Sequence, residues 1–336
     1  MQFHKSSKYI IRVILIATPL FLFLIAELLL GMADIDFIRP IRIKCIGDTD
    51  WREHHMFTDR DYIPDPWLFW KIDPRNKLTN SKGFLGPEFN LNKPEDTFRI
   101  FCLGNSNTRG SGDSSYPQEL TYLLQAKPIS KRRFEVINGG VSGYSSLQGY
   151  RLCSETVKYS PDLITVSFGW NDTCLTRRRP DKYFKPRNKY FLNLERFLYK
   201  FRVYQFLKYG YYHLKYNKFD NKASISLQRR VDLDDYKENL VAMAKLAKGN
   251  KTGILFITRP FILGAEPCMK GFTENAEMYN SAMRETAETI RVDLIDAEKT
   301  FSQHPEYFVD ICHFNKEGYK LLAEMIYSYL RTNYTR

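Results

Sequence analysis

Asp310 and His313 lie three residues apart in the segment DICH near the C-terminal end of the sequence. A carboxylate at this spacing can reach the imidazole Nδ1 across one turn, which fixes the tautomer and leaves Nε2 free as a general base. Such a base can activate a hydroxyl group that is a weak nucleophile on its own. Ser106, in the segment GNSNTRG (104–110), directly follows a short apolar run and is the candidate hydroxyl. These residue types predict acyl-transfer chemistry at a serine.

Two further segments supply hydrogen-bond donors for the charge that develops on an attacked carbonyl oxygen. The segment NGGVSGYSS (138–146) contains Gly143, and glycine permits close backbone approach and a free N–H. The segment GWND (169–172) contains Asn171, whose amide can point at an oxyanion. Each segment alone is more often an ordinary turn or helix cap. Their occurrence in order with Ser106 and His313 favours a catalytic site.

A sheet must position these segments, and the sequence contains five short apolar runs of the kind found in buried parallel strands. The runs are Phe98–Leu103, Phe134–Ile137, Leu163–Phe168, Ile254–Thr258 and Val292–Ile295. Helices are predicted at Tyr116–Lys127, Leu147–Tyr159, Leu233–Lys248, Ala276–Ile290 and Lys316–Leu330, with Asp232 and Asn315 as N-caps of the third and the last. The alternation predicts an α/β fold, a three-layer α/β/α sandwich with a five-stranded parallel sheet. Sites in such sheets lie at the carboxyl ends of the strands. Three of the four polar segments directly follow predicted strands, and the fourth, DICH, lies in the loop before the last predicted helix.

The four segments resemble the conserved blocks of the SGNH (GDSL-type) hydrolase superfamily, and the resemblance covers roughly Phe98 to Leu330. It implies a flavodoxin-like sheet and a catalytic triad of Ser106, His313 and Asp310. It also implies an oxyanion hole formed by the N–H of Ser106, the N–H of Gly143 and the side chain of Asn171. Family members are esterases, lipases, thioesterases and carbohydrate O-acyl esterases, with some O-acetyltransferases among their relatives. No metal or organic cofactor is implied.

Two residues depart from the family pattern. Asn105 stands where the family usually has Asp in its Gly-Asp-Ser motif, and Phe314 follows His313 in place of the usual Pro. The family Asp is thought to brace the nucleophile turn and is not a member of the triad. Asn has the same shape as Asp and keeps one acceptor oxygen, but it adds two hydrogen-bond donors. The resemblance therefore implies that Asn105 alters the support of Ser106 rather than the triad.

The composition excludes several protein classes. The 336 residues are 43% hydrophobic and 26% charged, which is typical of a globular chain and excludes wholesale disorder. Six scattered cysteines without a CxxC pair or a Cys/His cluster at zinc spacing argue against a disulfide scaffold and a structural zinc site. The net charge of +12 is concentrated in residues 177–230, which carry 16 Lys and Arg but only 3 Asp and Glu.

The N-terminal segment is predicted to be an uncleaved signal anchor. Val13–Met32 contains a single charge, Glu27, and twenty helical residues span about 30 Å, the thickness of the hydrocarbon core of a bilayer. A buried core helix is the alternative. Lys5, Lys8 and Arg12 precede the span and favour an N-terminus inside, with the catalytic domain outside the cytoplasm. In that compartment the cysteines at 45, 102, 153, 174, 268 and 312 could pair, and the sequence assigns no partners.

The basic segment 177–230 also carries 14 Phe and Tyr. Three interpretations remain open for it: a helical insertion that packs its aromatic side chains on the domain, a lid over the site, or an amphipathic element at an anionic membrane or glycan surface. Binding of single-stranded nucleic acid is disfavoured, because the chain is predicted to be anchored and to face outward. Arg177, Arg178 and Arg179 follow the Asn171 segment closely and are predicted to lie at the mouth of the site.

These observations predict three regions: a cytoplasmic tip and anchor at 1–35, an irregular aromatic-rich lead-in at 36–97, and a hydrolase domain at 98–332 with the insertion at 177–230. The predicted function is a membrane-anchored serine ester hydrolase that acts on O-acyl esters of a glycan or lipid near the membrane. One alternative is an O-acyltransferase that uses the same acyl-enzyme but passes the acyl group to a sugar hydroxyl. The other is a catalytically inactive binding module on the same scaffold.

Overall fold

The computed structural model describes residues 2–33, 56, 59–112, 114–176, 180–217, 228–262 and 270–334. The chain begins with helix α1, Gln2–Met32. Within α1, Ile11–Met32 is long and apolar enough to cross a membrane, and none of its residues is fully buried in the structure. A signal sequence can meet the same criteria of length and apolarity.

Nine strands are present in the described residues. In chain order they are β1 Tyr62–Asp65, β2 Phe69–Ile72, β3 Thr97–Gly104, β4 Arg133–Gly140, β5 Leu163–Ser167, β6 Leu175–Thr176, β7 Gln228–Arg229, β8 Gly253–Ile257 and β9 Asp293–Ile295. Five of them form one parallel sheet in the order β4-β3-β5-β8-β9. The pairs β1–β2 and β6–β7 are small antiparallel ribbons. The predicted five-stranded parallel sheet is confirmed.

Helices cover both faces of this sheet. After α1 they are α2 Ser106–Arg109, α3 Tyr116–Ala126, α4 Ser146–Thr156, α5 Lys189–Leu198, α6 Arg202–Asn217, α7 Leu233–Gly249, α8 Lys270–Ile290, α9 Ala297–Phe301 and α10 Lys316–Asn333. Short 3-10 turns lie at Val157–Tyr159, Asp181–Tyr183 and Pro305–Tyr307.

Strand β3, which lies between β4 and β5, shows why three layers form. All eight of its residues are buried, and successive side chains enter different cores. Phe101 and Leu103 pack in the core that contains α4 and α7, whereas Ile100 and Cys102 pack in the core that contains α3 and α10. A strand with no polar face requires cover on both sides, as the continuous apolar run predicts.

The helix starts follow the predicted caps. Asp232 accepts a hydrogen bond from Asp235 N at the start of α7, and Asn315 accepts one from Gly318 N at the start of α10. Helix α8 begins at Lys270, six residues before the predicted Ala276. The sequence pattern did not predict residues 270–275 as helical because Lys270 and Gly271 are not apolar and so do not extend the helical spacing of apolar residues. Glycine is nevertheless tolerated in the first turn of a helix.

In the insertion, α5 and α6 form two consecutive helices. Leu192 and Tyr199 are buried in the core that contains α4, so part of the insertion packs on the domain. Other aromatic side chains remain outside: Tyr190 is 85% exposed and Phe191 is 68% exposed. Among the described cysteines, Cys102, Cys153, Cys174 and Cys312 form no disulfide.

Candidate active site

The structure brings Ser106, His313 and Asp310 into one hydrogen-bonded chain. Ser106 Oγ lies 2.8 Å from His313 Nε2. His313 Nδ1 lies 2.7 Å from Asp310 Oδ2. These are the two contacts that a serine nucleophile needs from its base and that the base needs from its orienting carboxylate. The side chains of His313 and Asp310 are 37% and 52% exposed, so the group is open to solvent and to a substrate.

The turn that carries Ser106 is tight because two glycines allow it. A Cβ on Gly104, the last residue of β3, would lie 2.0 Å from Thr108 Oγ1. A Cβ on Gly140, at the end of the neighbouring β4, would lie 2.1 Å from Arg109 N. Both distances are far below van der Waals contact, so the four-residue helix α2 can pack on these strand ends only where side chains are absent. Ser106 is the first residue of α2 and therefore projects from the sheet edge.

Asp310 binds more than the imidazole. Its Oδ1 accepts hydrogen bonds from the backbone N–H of Cys312 at 2.9 Å and of His313 at 2.8 Å, while Oδ2 faces His313 Nδ1. Burial opposes ionisation of this carboxyl, but these hydrogen bonds outweigh it and hold the pKa of Asp310 well below its ordinary value. Asp310 therefore stays ionised and fixes the loop and the ring together.

Two buried residues connect the nucleophile turn to the loop that carries His313. Asn107 donates from Nδ2 to the carbonyl of Cys312 at 2.9 Å and accepts from Phe314 N at 3.1 Å, so its amide brackets His313 on both sides. Arg259, just after β8 and 1% exposed, donates from Nη2 to the same Cys312 carbonyl at 2.9 Å. These bonds fix the position of His313 relative to Ser106, and the sequence analysis did not identify Asn107 or Arg259.

Arg259 also contacts the residue that departs from the family motif. Its Nε donates to Asn105 Oδ1 at 3.2 Å. In the part of the chain that the structure describes, no carboxylate lies within ion-pair distance of Arg259, and Asn105 Nδ2 is buried without a hydrogen-bond partner. Burial lowers the pKa of Arg259, but a guanidinium stays protonated at neutral pH. Asn105 therefore supplies one acceptor where the family Asp would supply a charged one.

The predicted oxyanion donors follow three adjacent strands. Gly104 is in register with Gly140 on β4 and with Ser167 on β5, so the segments after these strands leave the sheet at the same edge. The segment after β4 carries Gly143 and the segment after β5 carries Asn171. The strand order places both segments beside the Ser106 turn.

The local geometry of each donor differs. Gly143 has φ +76°, a conformation that favours glycine, and its N–H has no acceptor among the described residues. Asn171 Nδ2 donates to the Tyr144 carbonyl at 3.1 Å, which occupies one of its two amide hydrogens. The Ser106 N–H begins α2 and so has no partner within the helix. Each group therefore retains a hydrogen for a ligand.

The lead-in supports the loop that carries Gly143. Trp70, on β2, is completely buried, and its Nε1 donates to the Ser142 carbonyl at 3.1 Å. The Tyr144 hydroxyl donates to the Trp70 carbonyl at 2.5 Å. Gly143 is thus held between two residues that are bonded to the same tryptophan. On the other side, Arg230 Nη1 donates to the Gly143 carbonyl at 2.7 Å.

Asp172 connects the Asn171 segment to α4. It is buried and accepts from Ser146 N at 2.8 Å and from Ser146 Oγ at 2.5 Å. Its other oxygen accepts from Gly169 N at 3.1 Å. Burial raises the pKa of Asp172 to about 6, although the Ser146 hydrogen bonds act in the opposite direction. Asp172 therefore positions the neighbouring Asn171 through the backbone and does not face Ser106.

Asp310, Cys312 and His313 are the one group in the described part of the chain whose potential metal-ligand atoms lie close together. His313 Nδ1 is already bonded to Asp310. Burial raises the pKa of Cys312 to about 12, and a protonated thiol is a poor ligand.

Arg177, Arg178 and Arg179 lie outside the described residues, so their predicted place at the site mouth stays a prediction. Of the residues that the sequence analysis missed, Asn107 stands next to Ser106, and Arg259 follows the β8 strand end at the same sheet edge. The position of Arg259 after a strand end was the signal in the sequence that could have identified it. Its contact with Asn105, 154 positions away, was not predictable from local pattern.

Comparison with known proteins assigns the family. A model of the GDSL-like lipase/acylhydrolase family matches residues 102–321, about two thirds of the chain. No curated protein sequence matches this chain. Similar solved structures include a lipase/acylhydrolase from Enterococcus faecalis (19% identity, 70% of this chain and 96% of that chain, TM-score 0.48). Others are the acetyl xylan esterase AlAXEase (16%, 69% and 100%, TM-score 0.48) and a GDSL-like lipase from Bacteroides thetaiotaomicron (16%, 70% and 88%, TM-score 0.44). The chain belongs to the GDSL-like lipase/acylhydrolase family and is an ester hydrolase.

Proposed function

We propose that this ester hydrolase cleaves O-acyl esters of a glycan or lipid near a membrane, with Ser106, His313 and Asp310 as its catalytic triad. The continuous hydrogen-bonded chain from Ser106 Oγ through His313 to Asp310 carries the proposal. Its geometry matches the roles of nucleophile, base and orienting carboxylate. The apolar helix α1, which precedes the catalytic domain, supports the membrane placement.

In the proposed reaction, Ser106 Oγ attacks the ester carbonyl carbon while His313 Nε2 accepts the hydroxyl proton. The negative charge on the carbonyl oxygen is stabilised by the N–H groups of Ser106 and Gly143 and by the Asn171 amide. The bond to the alcohol breaks as His313 returns the proton to the leaving oxygen, which leaves an acyl group on Ser106. His313 then deprotonates a water molecule, whose attack releases the carboxylic acid and restores Ser106.

A fluorophosphonate probe tests the triad, because it labels only activated serines. The full-length protein in detergent micelles is compared with Ser106→Ala, His313→Ala and a matched control, Ser111→Ala, which removes an exposed serine five positions from the nucleophile. We expect labelling of the wild type and of the Ser111 variant, and none of the other two. Labelling that survives Ser106→Ala would identify a different nucleophile.

The substrate is tested separately with acetylated oligosaccharides, long-chain lipid esters and anionic forms of each. Product analysis with and without a free sugar acceptor separates hydrolysis from acyl transfer. Neutralising Arg177, Arg178 and Arg179 should weaken activity on anionic substrates only. An unchanged substrate profile would contradict the predicted place of these arginines at the site mouth.

A further inference from the structure

The two helices of the insertion present apolar side chains to the outside. Besides Tyr211, six large side chains with no role in the domain core are each at least half exposed: Tyr190, Phe191, Leu194 and Phe197 on α5, and Leu207 and Leu214 on α6. We call these six residues the apolar platform. They recur at helical spacing, so each helix has an apolar outer face rather than scattered exposed residues. Large exposed apolar surfaces of this kind mark interaction sites.

The outer face of α5 is not the face with which the helix packs on the domain. Leu192 is 1% exposed and lies in the domain core, and Tyr199 follows it two turns later. Between them, Glu195 points inward and forms ion pairs with Arg187 and Lys208. The helix has therefore already buried one face on the domain, and the apolar platform is a second face that needs a different partner.

Helix α1 contacts the same insertion. Glu27, the single charge in Val13–Met32, accepts hydrogen bonds from Arg202 N at 2.7 Å and from Val203 N at 3.0 Å, which are the first two N–H groups of α6. The rings of Phe23 and Phe201 lie 5.5 Å apart. The carboxylate thus caps a helix whose N-terminal dipole favours negative charge, which explains how the apolar span tolerates it.

The position of this contact along α1 indicates how deep in a bilayer the start of α6 would lie. Glu27 precedes Met32, the end of the span, by about 7.5 Å of helix axis at 1.5 Å per residue. Interfacial helices bury their apolar faces about 5–10 Å into the boundary between headgroups and acyl chains. If α1 spans a bilayer, the start of α6 lies at the depth where an interfacial helix belongs.

We propose that α5 and α6 lie in the headgroup region of the leaflet that surrounds the C-terminal end of α1, and that the apolar platform contacts anionic lipid there. The charge of the insertion fits this partner, since residues 177–230 carry a net charge of +13 and Lys185, Lys189 and Lys200 are exposed near the platform helices. A second copy of the chain fits less well, because a contact between two such faces would bring two basic segments together. The inference rests on the membrane placement in the proposed function and is independent of the triad.

Photo-crosslinking of the full-length protein tests the contact. A diazirine amino acid is introduced at Phe191 or Leu207 in nanodiscs that contain phosphatidylcholine with phosphatidylglycerol. Leu22, exposed on α1, is the positive control, and Tyr122, exposed on α3 in the opposite helix layer, is the matched negative control. We expect lipid adducts at Phe191 and Leu207 at about ten times or more the yield at Tyr122.

Each other outcome overturns the proposal in a distinguishable way. Adducts at Leu22 but none above the Tyr122 level at Phe191 and Leu207 would mean that the chain is anchored while the platform is not in lipid. No adducts at Leu22 would remove the membrane placement, and with it this inference, but not the triad. Crosslinks from Phe191 to a second protein chain would assign the platform to a protein interface.

Two further variants test the parts of the contact. Replacing Lys185, Lys189 and Lys200 together by Gln should lower the lipid adduct yield at Leu207 by about threefold or more, because each basic residue near an anionic surface adds to the attraction. Glu27→Leu should lower the yield at Leu207 and leave that at Leu22 unchanged. The thermal midpoint of each variant checks that the domain is folded. An unchanged yield at Leu207 in both folded variants would contradict the proposed contact.

Discussion

Asn105→Asp restores the residue usual in the family, and we predict that it stabilises the protein. The buried Nδ2 of Asn105 lacks a partner, and an unsatisfied buried donor costs about 1–3 kcal/mol. The introduced carboxylate removes that donor and turns the bond from Arg259 Nε into an ion pair. At an effective dielectric constant of about 20, charges about 4 Å apart attract by roughly 4 kcal/mol, and burying a carboxylate costs several kcal/mol. We expect a net gain of about 1–3 kcal/mol in the free energy of unfolding.

Urea unfolding at pH 7.5 measures this gain, and Asn280→Asp is the matched control. Asn280 is also buried beside Arg259, but its Nδ2 donates to the Arg259 carbonyl at 2.9 Å. A carboxylate oxygen in that place would face the carbonyl oxygen, so this variant should be destabilised. The gain of Asn105→Asp requires an ionised carboxylate whose pKa is depressed by Arg259. It should therefore be present at neutral pH and be lost as the pH falls below about 4.

The same substitution in an Arg259→Met variant tests the role of the Arg259 charge. In Arg259→Met the introduced carboxylate has no cation, so Asn105→Asp should cost about 3–5 kcal/mol there instead of stabilising the protein. If Asn105→Asp destabilises the protein with Arg259 intact, or has the same effect in both backgrounds, the interpretation of Arg259 as a cation that lacks its carboxylate is wrong.

Three other predictions concern the site and its supports. Asp310→Asn should lower kcat by roughly 10³–10⁴-fold in steady-state assays with an ester substrate, because His313 loses the carboxylate that fixes its tautomer; a loss below tenfold would contradict that role. The pKa of Asp172 is raised to about 6 in the folded protein, above its value in the unfolded chain. The protonated carboxyl therefore stabilises the fold fully below the unfolded-state pKa, and this contribution is lost as the pH rises through 6. The unfolding free energy of the wild type relative to Asp172→Asn should therefore fall by about 2 kcal/mol between pH 4.5 and 7.5, and a constant difference would show that the carboxyl titrates normally. Gly140→Ala should destabilise the protein by about 1–3 kcal/mol in urea because its methyl group meets Arg109 N, whereas Gly249→Ala, with open space around it, should not.

Much of the fold was predictable because it depends on local patterns. Ile100–Leu103 in β3 are apolar at successive positions, which occurs where a strand is covered on both faces, and Asp232 and Asn315 are recognisable caps. Three of the site segments were found because each follows a strand end, and the ends of parallel strands share an edge; the His313 segment was found from its spacing to Asp310 and its place before the last helix. The Ser106 to His313 contact joins residues 207 positions apart, and it was inferred from the residue types together with the resemblance to the family.

The remaining features depend on contacts that leave no local pattern. Arg259 looks like an ordinary polar residue after a strand, and its burial against Asn105 and Cys312 follows from how three loops meet. The interpretations of the insertion stayed open in the sequence analysis for a similar reason. Aromatic residues at helical spacing predict an amphipathic helix, but the pattern cannot tell which of two apolar faces packs on the domain. Leu192 is buried and Phe191, its neighbour, is exposed.

The bonds between Trp70 and the Gly143 loop have a consequence for where the enzyme begins. The first strand of the large sheet starts at Thr97, and a truncation there would keep every residue of the triad. It would also delete the ribbon β1–β2, leaving the Tyr144 hydroxyl and the Ser142 carbonyl without their partner. We therefore expect the smallest fragment with esterase activity to start upstream of Tyr62. The ribbon is not part of the large sheet, yet it contributes Tyr62 and Trp70 to the domain core and supports the loop of the proposed oxyanion donor Gly143.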